Sequence, residues 1–257
     1  MEFINTIYNK SCEAMSDIPD NSIHLTVTSP PYNVGMAYET KTEVDNYLEF
    51  VKKVFTEIYR VTVNGGRVVI NLANTGRNPY VPLTTYYTNI MESLGFLNRG
   101  IIIWDKGASS GKQTSWGSWL SASNPYIRDV NEFILCFSKG SLAREDKGEN
   151  TITRDEFLIY TESIWKIHAE SATKIKHPAP YPVEIPLRAI KLYTFKNDIV
   201  LDPFMGSGTT AIAALKTDRR YVGYELEPKY IKIIKKRIQE FHDNNFNMYG
   251  KGITSNA

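Results

Sequence analysis

The segment from Ile199 to Lys216 constrains the fold more than any other part of this chain. A short apolar run that ends at Asp202 is typical of a buried strand, Gly206 and Gly208 follow in a turn, and an alanine-rich stretch then predicts a helix. Glycine lets a ligand approach the backbone, and the free N–H groups at a helix start can hold a carboxylate or phosphate. The segment favours a nucleotide-cofactor site. A plain tight turn and a dinucleotide site are the alternatives, whereas a Walker-type loop would need a lysine after the glycines.

Further β-rich apolar runs alternate with helical patterns along the chain. We predict strands at Ile23–Thr28, Gly66–Leu72, Gly100–Trp104, Glu132–Phe137, Ile199–Asp202 and Tyr221–Tyr224. We predict helices at Val44–Val61, ended by Asn64-Gly65-Gly66, from Pro182 or Glu184 to Tyr193, at Thr209–Lys216, and from Glu227 to about Phe241. Strands that alternate with helices predict an α/β fold whose sheet is covered on both faces.

The length of 257 residues, 42% of them hydrophobic, suits one large core, so we expect a single domain over 1–257. Two stretches break the strand and helix pattern, 105–128 and 141–176, and we predict that they are insertions that carry specificity. Lys and Arg number 30 against 28 Asp and Glu. The resulting net charge of +2 gives no strong field, so a polyanion would have to be held by a local patch.

The composition also argues against several classes of protein. Two cysteines and four scattered histidines show no ligand spacing, which argues against a disulfide framework and a metal site. No apolar run approaches the roughly 18 residues of a membrane span, and the polar N-terminus does not have the form of a signal peptide. We therefore expect a cytoplasmic protein that binds no metal and no membrane.

Glu225 ends the apolar run that follows the glycine-rich segment. In dinucleotide folds an acidic residue at the tip of the second strand accepts hydrogen bonds from both ribose hydroxyls, and Glu225 fits that role. The alternative is an acid favoured by the start of the next helix, a role that Glu227 could also fill.

Ser29-Pro30-Pro31-Tyr32 ends the first strong strand pattern. The two prolines stop the hydrogen-bond ladder and fix an extended backbone, so carbonyl groups project at the carboxyl end of the strand, where open α/β sheets bind ligands. The turn offers a carbonyl at Pro30, a hydroxyl at Ser29 and an aromatic face at Tyr32. Such groups could orient an aryl amine and stack on a base lifted from a helix. The alternative is a proline-rich strand end beside a buried tyrosine.

Together, Thr28-Ser29-Pro30-Pro31-Tyr32 and Asp202-Pro203-Phe204-Met205-Gly206-Ser207-Gly208-Thr209-Thr210 closely resemble the motifs of the DNA amino-methyltransferases, which methylate cytosine or adenine on the exocyclic amine. The catalytic motif precedes the cofactor motif, which is the order of the permuted class called beta. The resemblance covers nearly the whole chain. It implies a Rossmann-like S-adenosylmethionine-dependent methyltransferase fold with a seven-stranded, mostly parallel sheet.

The resemblance also implies roles for individual residues. Ser29, Pro30, Pro31 and Tyr32 would hold the target base, Glu225 the ribose of S-adenosylmethionine, and His177-Pro178 would close over its methionine part. The other cofactor contacts would be Lys10, Ser11, Thr28, Asp202, Phe204, Met205, Gly206, Ser207, Gly208 and Thr209. Lys10 departs from the family, because many relatives carry Asp there in contact with the adenine of the cofactor.

By this resemblance the chain would transfer a methyl group directly to the amine of a base flipped out of double-stranded DNA. Ser before Pro-Pro-Tyr often accompanies cytosine specificity and Asp usually accompanies adenine, so cytosine is favoured and adenine is the alternative. A protein glutamine methyltransferase is disfavoured by the serine and the permuted order, and a dead DNA-specificity module by the intact motifs. A nicotinamide dehydrogenase is also disfavoured, because the Pro-Pro-Tyr turn would have no role in such an enzyme.

We expect the two insertions to contact DNA, with solvated loop charge as the alternative for each residue. The candidates are Lys106, Lys112, Gln113, Trp116, Trp119 and Arg128 in the first insertion and Arg144 and Arg154 in the second. We expect the basic side chains of the last helix to form a solvated face: Lys229, Lys232, Lys235, Lys236 and Arg237. The resemblance suggests a restriction-modification system, and it leaves open whether a cognate restriction endonuclease or a homodimer partner exists.

Overall fold

The computed structural model describes residues 2–31, 41–75, 80–107, 117–127, 129–168 and 182–250, with the side chains of 41–43 and 245–250 left out. Among these residues there are eight strands: β1 Thr6–Tyr8, β2 Ile23–Thr28, β3 Thr62–Leu72, β4 Phe96–Asp105, β5 Asn131–Lys139, β6 Ile164–Lys166, β7 Ile199–Asp202 and β8 Arg220–Tyr224. The same residues form six helices: α1 Lys41–Val61, α2 Leu83–Ser93, α3 Arg154–Tyr160, α4 Glu184–Tyr193, α5 Thr209–Lys216 and α6 Pro228–Gly250.

All eight strands form one sheet in the order β1-β8-β7-β2-β3-β5-β4-β6. Only β5 among the described strands runs antiparallel to its neighbours. The expected Rossmann-like, mostly parallel sheet is confirmed, with eight strands in place of seven. The two strands that the sequence patterns did not predict, β1 and β6, have three residues each, and β6 pairs with the end of β4 at one edge of the sheet.

The chain changes direction across the sheet between β7 and β2. From β2, the path through α1 leads to β3 on one side, whereas from β7 the path through α5 leads to β8 on the other. In open α/β sheets, ligands bind outside the carboxyl ends of the strands at such a switch point. The two sequence motifs directly follow β2 and β7, so the topology brings both to this point.

Helices cover both faces of the sheet. One buried core contains residues of α1 and α2 and the other contains residues of α4, α5 and α6. Val200 and Leu201 are neighbours in β7 but belong to opposite cores, as expected for a strand buried on both faces. Within the described part of the chain, no helix combines the length and apolar character that a membrane crossing needs.

Some elements form because of tertiary packing, which the sequence pattern did not reveal. Helix α2, which was not predicted, is rich in threonine and tyrosine, and it buries Leu83, Tyr87 and Met91 at a spacing of four residues. The free energy gained by burying these three side chains outweighs the weak helix propensity of the threonines and tyrosines. Asn64-Gly65-Gly66, expected to follow the end of a helix, lies inside β3, and α1 already ends at Val61.

The described part of segment 141–176 is structured rather than irregular. Helix α3 begins with a capping box in which Thr153 and Glu156 exchange side-chain to backbone hydrogen bonds. The Nζ of Lys191 in α4 pairs with the carboxylate of Glu156, and the Trp165 side chain is buried in the core. This segment therefore extends the sheet and packs against α4.

Arg144 anchors the same segment at the end of the sheet where the parallel strands β2 and β7 begin. Its side chain is only 8% exposed and forms ion pairs with Asp146 and Asp198, the residue that precedes β7. His24 Nε2 lies 3.6 Å from Asp198, and burial lowers the pKa of this histidine. Arg144 was expected to contact DNA; its burial, at the end of the sheet opposite the two motifs, corrects that assignment.

The groups around Arg144 also include three that could ligate a metal ion. Ligand atoms of His24, Asp146 and Asp198 lie within 4.8 Å of one another. The guanidinium of Arg144 forms ion pairs with both carboxylates, which accounts for their proximity.

We predict that Arg144→Ala lowers the free energy of unfolding by about 3 kcal/mol, because it removes the guanidinium partner of the buried Asp198 carboxylate. Urea denaturation followed by circular dichroism measures the change. Lys147→Ala is the matched control, since Lys147 is an exposed cation in the same segment and its loss should cost less than about 0.5 kcal/mol. Equal effects of the two substitutions would contradict the anchoring role.

Candidate active site

The carboxylate of Asp202 connects the two motifs. Its Oδ1 accepts hydrogen bonds from the Thr28 hydroxyl at 2.8 Å and the Phe204 N–H at 3.0 Å, and its Oδ2 accepts one from the Thr210 hydroxyl at 2.6 Å. The connection is possible because β2 and β7 are adjacent and parallel, so that their carboxyl ends lie side by side. The end of β2, the glycine loop and the start of α5 are therefore fixed to one carboxylate.

Asp202 is completely enclosed, and this burial raises the pKa of its carboxyl group to about 6. The hydrogen bonds from Thr210 and Thr28 favour the ionised form and act in the opposite direction. A carboxylate held in this way tolerates burial because these three partners are donors.

A cleft of about 500 Å³ opens between the two motifs, within the usual size range of a small-molecule site. The turns after β1, β2, β7 and β8 form its wall, and α1 contributes one aromatic side chain. The lining residues are Lys10, Ser11, Cys12, Glu13, Ser29, Pro30, Pro31, Phe50, Pro203, Phe204, Gly206, Tyr224, Glu225 and Leu226.

Two glycines of the loop after β7 have positive φ, +53° at Gly206 and +81° at Gly208. A Cβ atom on Gly208 would lie 2.7 Å from Cγ2 of Ile234, so this glycine allows α6 to pack closely on the loop. Gly206 lines the cleft, and its N–H donates to Glu225 Oε2 at 2.8 Å. The loop thus presents bare backbone to the cleft, as the sequence predicted.

Glu225 lines the cleft beside the glycine loop, and both of its carboxylate oxygens accept hydrogen bonds. Besides the bond from Gly206, Oε1 accepts the N–H of Glu227 at 2.9 Å, just before α6 begins. Burial raises the pKa of the Glu225 carboxyl group. Because a carboxylate has about four acceptor positions, these two bonds leave it able to accept hydroxyl groups as well. The helix-start interpretation and the ribose interpretation are therefore compatible.

The turn after β2 is supported by polar side chains from three other elements. Tyr47 of α1 donates its hydroxyl to the Pro31 carbonyl at 2.9 Å. Asn71 of β3 places Nδ2 3.5 Å from Ser29 Oγ and 2.5 Å from Glu132 Oε2, and Glu132 also forms an ion pair with Lys106. This chain of contacts, here called the Ser29 polar chain, consists of Ser29, Asn71, Glu132 and Lys106.

The residues predicted for the cofactor and the base fall into three groups. Lys10, Ser11, Ser29, Pro30, Pro31, Phe204, Gly206 and Glu225 line the cleft. Thr28, Asp202, Met205, Ser207, Gly208 and Thr209 are buried and are not among the lining residues. Tyr32, His177 and Pro178 lie outside the described residues. Lys10, the departure from the family pattern, forms an ion pair with Asp17 at 2.5 Å and lowers the pKa of that carboxyl group.

The sequence did not reveal several contributors to the site. Phe50, Cys12, Glu13, Pro203, Tyr224 and Leu226 line the cleft, and Tyr47, Asn71 and Glu132 support the catalytic turn. Asn71 and Glu132 carried a usable signal, because Asn71 is a polar residue near the end of the apolar run in β3 and Glu132 is one near the start of the apolar run in β5.

One expectation about the last helix is wrong. Arg237 does not belong to the solvated face of α6, because its Nη1 donates to the Ser207 carbonyl at 2.6 Å and to Ser207 Oγ at 3.1 Å. It thereby supports the glycine loop from behind. The four lysines of that face are exposed: Lys229, Lys232, Lys235 and Lys236.

The side chains expected to contact DNA also differ in their placement. Lys106 is turned inward and paired with Glu132, whereas Trp119 is 64% exposed and Arg154 is an exposed residue at the start of α3. Lys112, Gln113, Trp116 and Arg128 lie outside the described residues.

The buried Asp202 carboxyl group predicts a particular pH dependence of stability. Its pKa is about 6 in the folded protein and about 4 in an unfolded chain, so its stabilising contribution is complete below pH 4 and lost as pH rises through 6. Over that interval we expect the free energy of unfolding of the wild type to fall by about 3 kcal/mol relative to Asp202→Asn. Denaturation at stepped pH values measures this difference, and a difference that is independent of pH would contradict it.

Comparisons with known proteins agree with this geometry. Residues 23–236 match the model of the N6/N4 methyltransferase family, described as DNA methylase. The chain is 31% identical to the Type II methyltransferase M.MthZI of Methanothermobacter thermautotrophicus, over 93% of this chain and 78% of that protein. It is 30% identical to M.MjaI of Methanocaldococcus jannaschii, over 87% of this chain and 88% of that protein.

Solved structures show the same fold. A Thermus thermophilus protein assigned as a DNA modification methylase, crystallised with S-adenosylmethionine, is 29% identical with a TM-score of 0.74, over 90% of this chain and 92% of that one. The cytosine-N4-specific PvuII DNA methyltransferase has a TM-score of 0.72 at 20% identity, over 90% of this chain and 84% of that one. The family match spans both motifs and most of the sheet, and the chain belongs to the N6/N4 family of DNA methylases.

Proposed function

We propose that this protein transfers a methyl group from S-adenosylmethionine to the exocyclic amine of cytosine in double-stranded DNA. One observation carries the proposal: the glycine loop and the Ser-Pro-Pro turn border the same cleft and are both fixed by Asp202. A donor site and an acceptor site that meet in one cleft are what direct transfer between two bound molecules requires.

The cleft suits S-adenosylmethionine in size and in the groups that it offers. Glu225 would accept the ribose hydroxyls, and the backbone at Gly206 would lie against the ligand. Phe204 and Leu226 offer apolar surface for the adenine ring. When bound, the cofactor supplies a methyl group on a positively charged sulfur. The 29% identical Thermus protein, which was crystallised with S-adenosylmethionine, supports this choice of donor.

The Ser-Pro-Pro turn would orient the target amine. The Pro30 carbonyl accepts one amine N–H and turns the nitrogen lone pair towards the methyl group. Asn71 donates to Ser29 Oγ, so the Ser29 hydroxyl can give its own proton to the ring nitrogen beside the amine. Tyr32 would stack on the base. The methylated ammonium is a strong acid and passes its proton to water without a dedicated base.

The serine at position 29 favours cytosine, by the resemblance of Ser-Pro-Pro-Tyr to the motif of cytosine-modifying enzymes. Adenine presents the same arrangement of a ring nitrogen beside an amine, and its exocyclic amine is the second candidate target. Both bases would have to be flipped out of the duplex to reach the cleft, at a cost of a few kcal/mol.

Double-stranded DNA would approach the carboxyl-end edge of the sheet. Trp119 stands exposed in the loop that follows β4 at this end of the sheet, and it belongs to the proposed DNA-binding surface together with Lys112, Gln113, Trp116 and Arg128. Arg154 is left out of this surface, because the neighbouring Thr151 accepts a hydrogen bond from Arg219 at the opposite end of the sheet, beside the start of β8. The relatives named Type II methyltransferases support a role in a restriction-modification system, in which a cognate restriction endonuclease would be the partner. A homodimer is a further proposal.

Methylation of unmodified genomic DNA tests the proposal. The purified protein is incubated with DNA and S-adenosylmethionine, and the product is sequenced for N4-methylcytosine and N6-methyladenine. We expect N4-methylcytosine within one short recognition sequence. N6-methyladenine at one sequence would reassign the base. Cofactor binding with methylation of protein instead of DNA would support a glutamine methyltransferase, and cofactor binding with no transfer would support a specificity module.

We predict that Ser29→Ala lowers the methylation rate about 100-fold and leaves the Kd for S-adenosylmethionine unchanged, because the hydroxyl acts on the base rather than the donor. Tyr32→Ala should behave in the same way. Single-turnover methylation and equilibrium titration of the cofactor measure the two quantities. Ser16→Ala is the control, since Ser16 is exposed and is not among the lining residues of the cleft. Wild-type rates in Ser29→Ala would contradict the assigned role.

A further inference from the structure

We propose that Leu120, in the loop between β4 and β5, is a wedge that enters the DNA duplex and fills the space vacated by the target base. The inference rests on the proposed function, which supplies the duplex and the flipped base. Leu120 would act on the neighbouring base pairs, whereas the Ser-Pro-Pro turn acts on the target base itself.

The root of this loop lies beside the catalytic turn. It is closed by a hydrogen bond from the Lys106 N–H to the Val130 carbonyl at 3.1 Å. Lys106 and Glu132, on the two sides of the root, both belong to the Ser29 polar chain. Glu132 at the root contacts Asn71, and Asn71 in turn contacts Ser29. Because β4 ends and β5 begins here, the loop leaves the sheet at the edge where the cleft opens.

The described part of the loop, 117–127, forms a compact turn that is held by its own hydrogen bonds. A β-bridge joins Gly117 to Pro125, and the Ser118 N–H donates to the Asn124 carbonyl at 2.9 Å. The Ser118 hydroxyl accepts from the Asn124 N–H at 2.8 Å and donates to the Ser121 carbonyl at 2.8 Å. These bonds hold the shape of the turn, which presents Trp119 and Leu120 between its two ends.

Leu120 combines two features that folding alone does not favour. Its side chain is 89% exposed, and its backbone has a φ of +52°, the left-handed conformation that a leucine rarely adopts. Strained backbone conformations of this kind cluster at ligand-binding and catalytic sites. The positive φ distinguishes Leu120 from the other exposed apolar residues of the described chain and makes it the candidate for burial by a partner.

The chemistry of the segment favours DNA as that partner over a second copy of the chain. The loop 106–130 contains three basic residues, Lys106, Lys112 and Arg128, and one acidic residue, Asp129, although the whole chain is nearly neutral. An excess of basic residues in a loop that carries an exposed apolar side chain suits a polyanion into which that side chain is inserted. Leucine is one of the side chains that DNA-bending proteins insert between base steps, where it replaces lost stacking. The same insertion beside the cleft would stabilise the gap left by a flipped base.

The experiment compares a paired target with one that needs little extrusion. Two oligonucleotide duplexes carry the recognition sequence found by genomic sequencing; in one the target base is paired, and in the other it faces an abasic position. Single-turnover methylation rates are measured for the wild type, Leu120→Ala and Leu120→Gly. We expect both variants to lose at least about tenfold on the paired target and to approach the wild-type rate on the abasic-opposed target, where little pairing energy must be overcome.

The two variants distinguish the effect of losing the leucine side chain from the effect of changing the backbone of the turn. Glycine adopts positive φ without strain, so Leu120→Gly keeps the turn and removes only the wedge. Leu142→Ala is the matched control, because Leu142 is an exposed leucine in the loop after β5, at the opposite edge of the sheet. It should methylate both duplexes at the wild-type rate.

Three results would overturn the proposal: wild-type rates for both Leu120 variants on the paired duplex, an equal loss on both duplexes, or a changed elution volume in gel filtration with unchanged rates. The last result would identify Leu120 as a contact between two copies of the chain. Failure of the wild-type protein to methylate either duplex would instead count against the proposed function, so the two failures are distinguishable.

Discussion

The hydrogen bonds of Asp202 are the interaction on which the rest of the site depends. A buried carboxylate is costly unless donors surround it, and here two threonine hydroxyls and one backbone N–H do so. Thr28 belongs to the strand that leads to the Ser-Pro-Pro turn, and Thr210 belongs to the helix that follows the glycine loop. The same interaction that makes burial tolerable therefore fixes the spacing between the two walls of the cleft.

The two ends of the sheet, where the parallel strands begin and where they finish, have different roles. At the amino-terminal edge, Arg144 joins Asp146 and Asp198 and ties the segment before α3 to the start of β7. At the carboxyl-terminal edge, the turns after four strands surround the cleft, and Arg237 and Tyr47 hold two of these turns from behind. Two arginines that look similar in the sequence thus have different roles: Arg144 stabilises the fold at one end of the sheet, and Arg237 supports the glycine loop of the site at the other.

Local chemistry explains which parts of the fold could be predicted. The bounds of β2, β7 and α5 agree with the sequence prediction because each is delimited by its own residues: prolines end β2, glycines follow β7, and Thr209 opens an alanine-rich helix. Helix α2 was missed because its residues prefer strands and become helical only when packed. The residues that support the site, such as Arg237 and Asn71, could not be assigned because their partners are distant in the chain.

The central claim is that a methyl donor and a nucleobase meet in one cleft, and an isotope-trapping experiment tests it most directly. The protein is loaded with S-adenosylmethionine that carries a labelled methyl group and is then mixed with DNA containing the recognition sequence and excess unlabelled donor. The account predicts that the label bound at the start is recovered in DNA as an N-methylated base, with N4-methylcytosine favoured. Failure to retain the donor, or label recovered on a ring carbon or on protein, would contradict it.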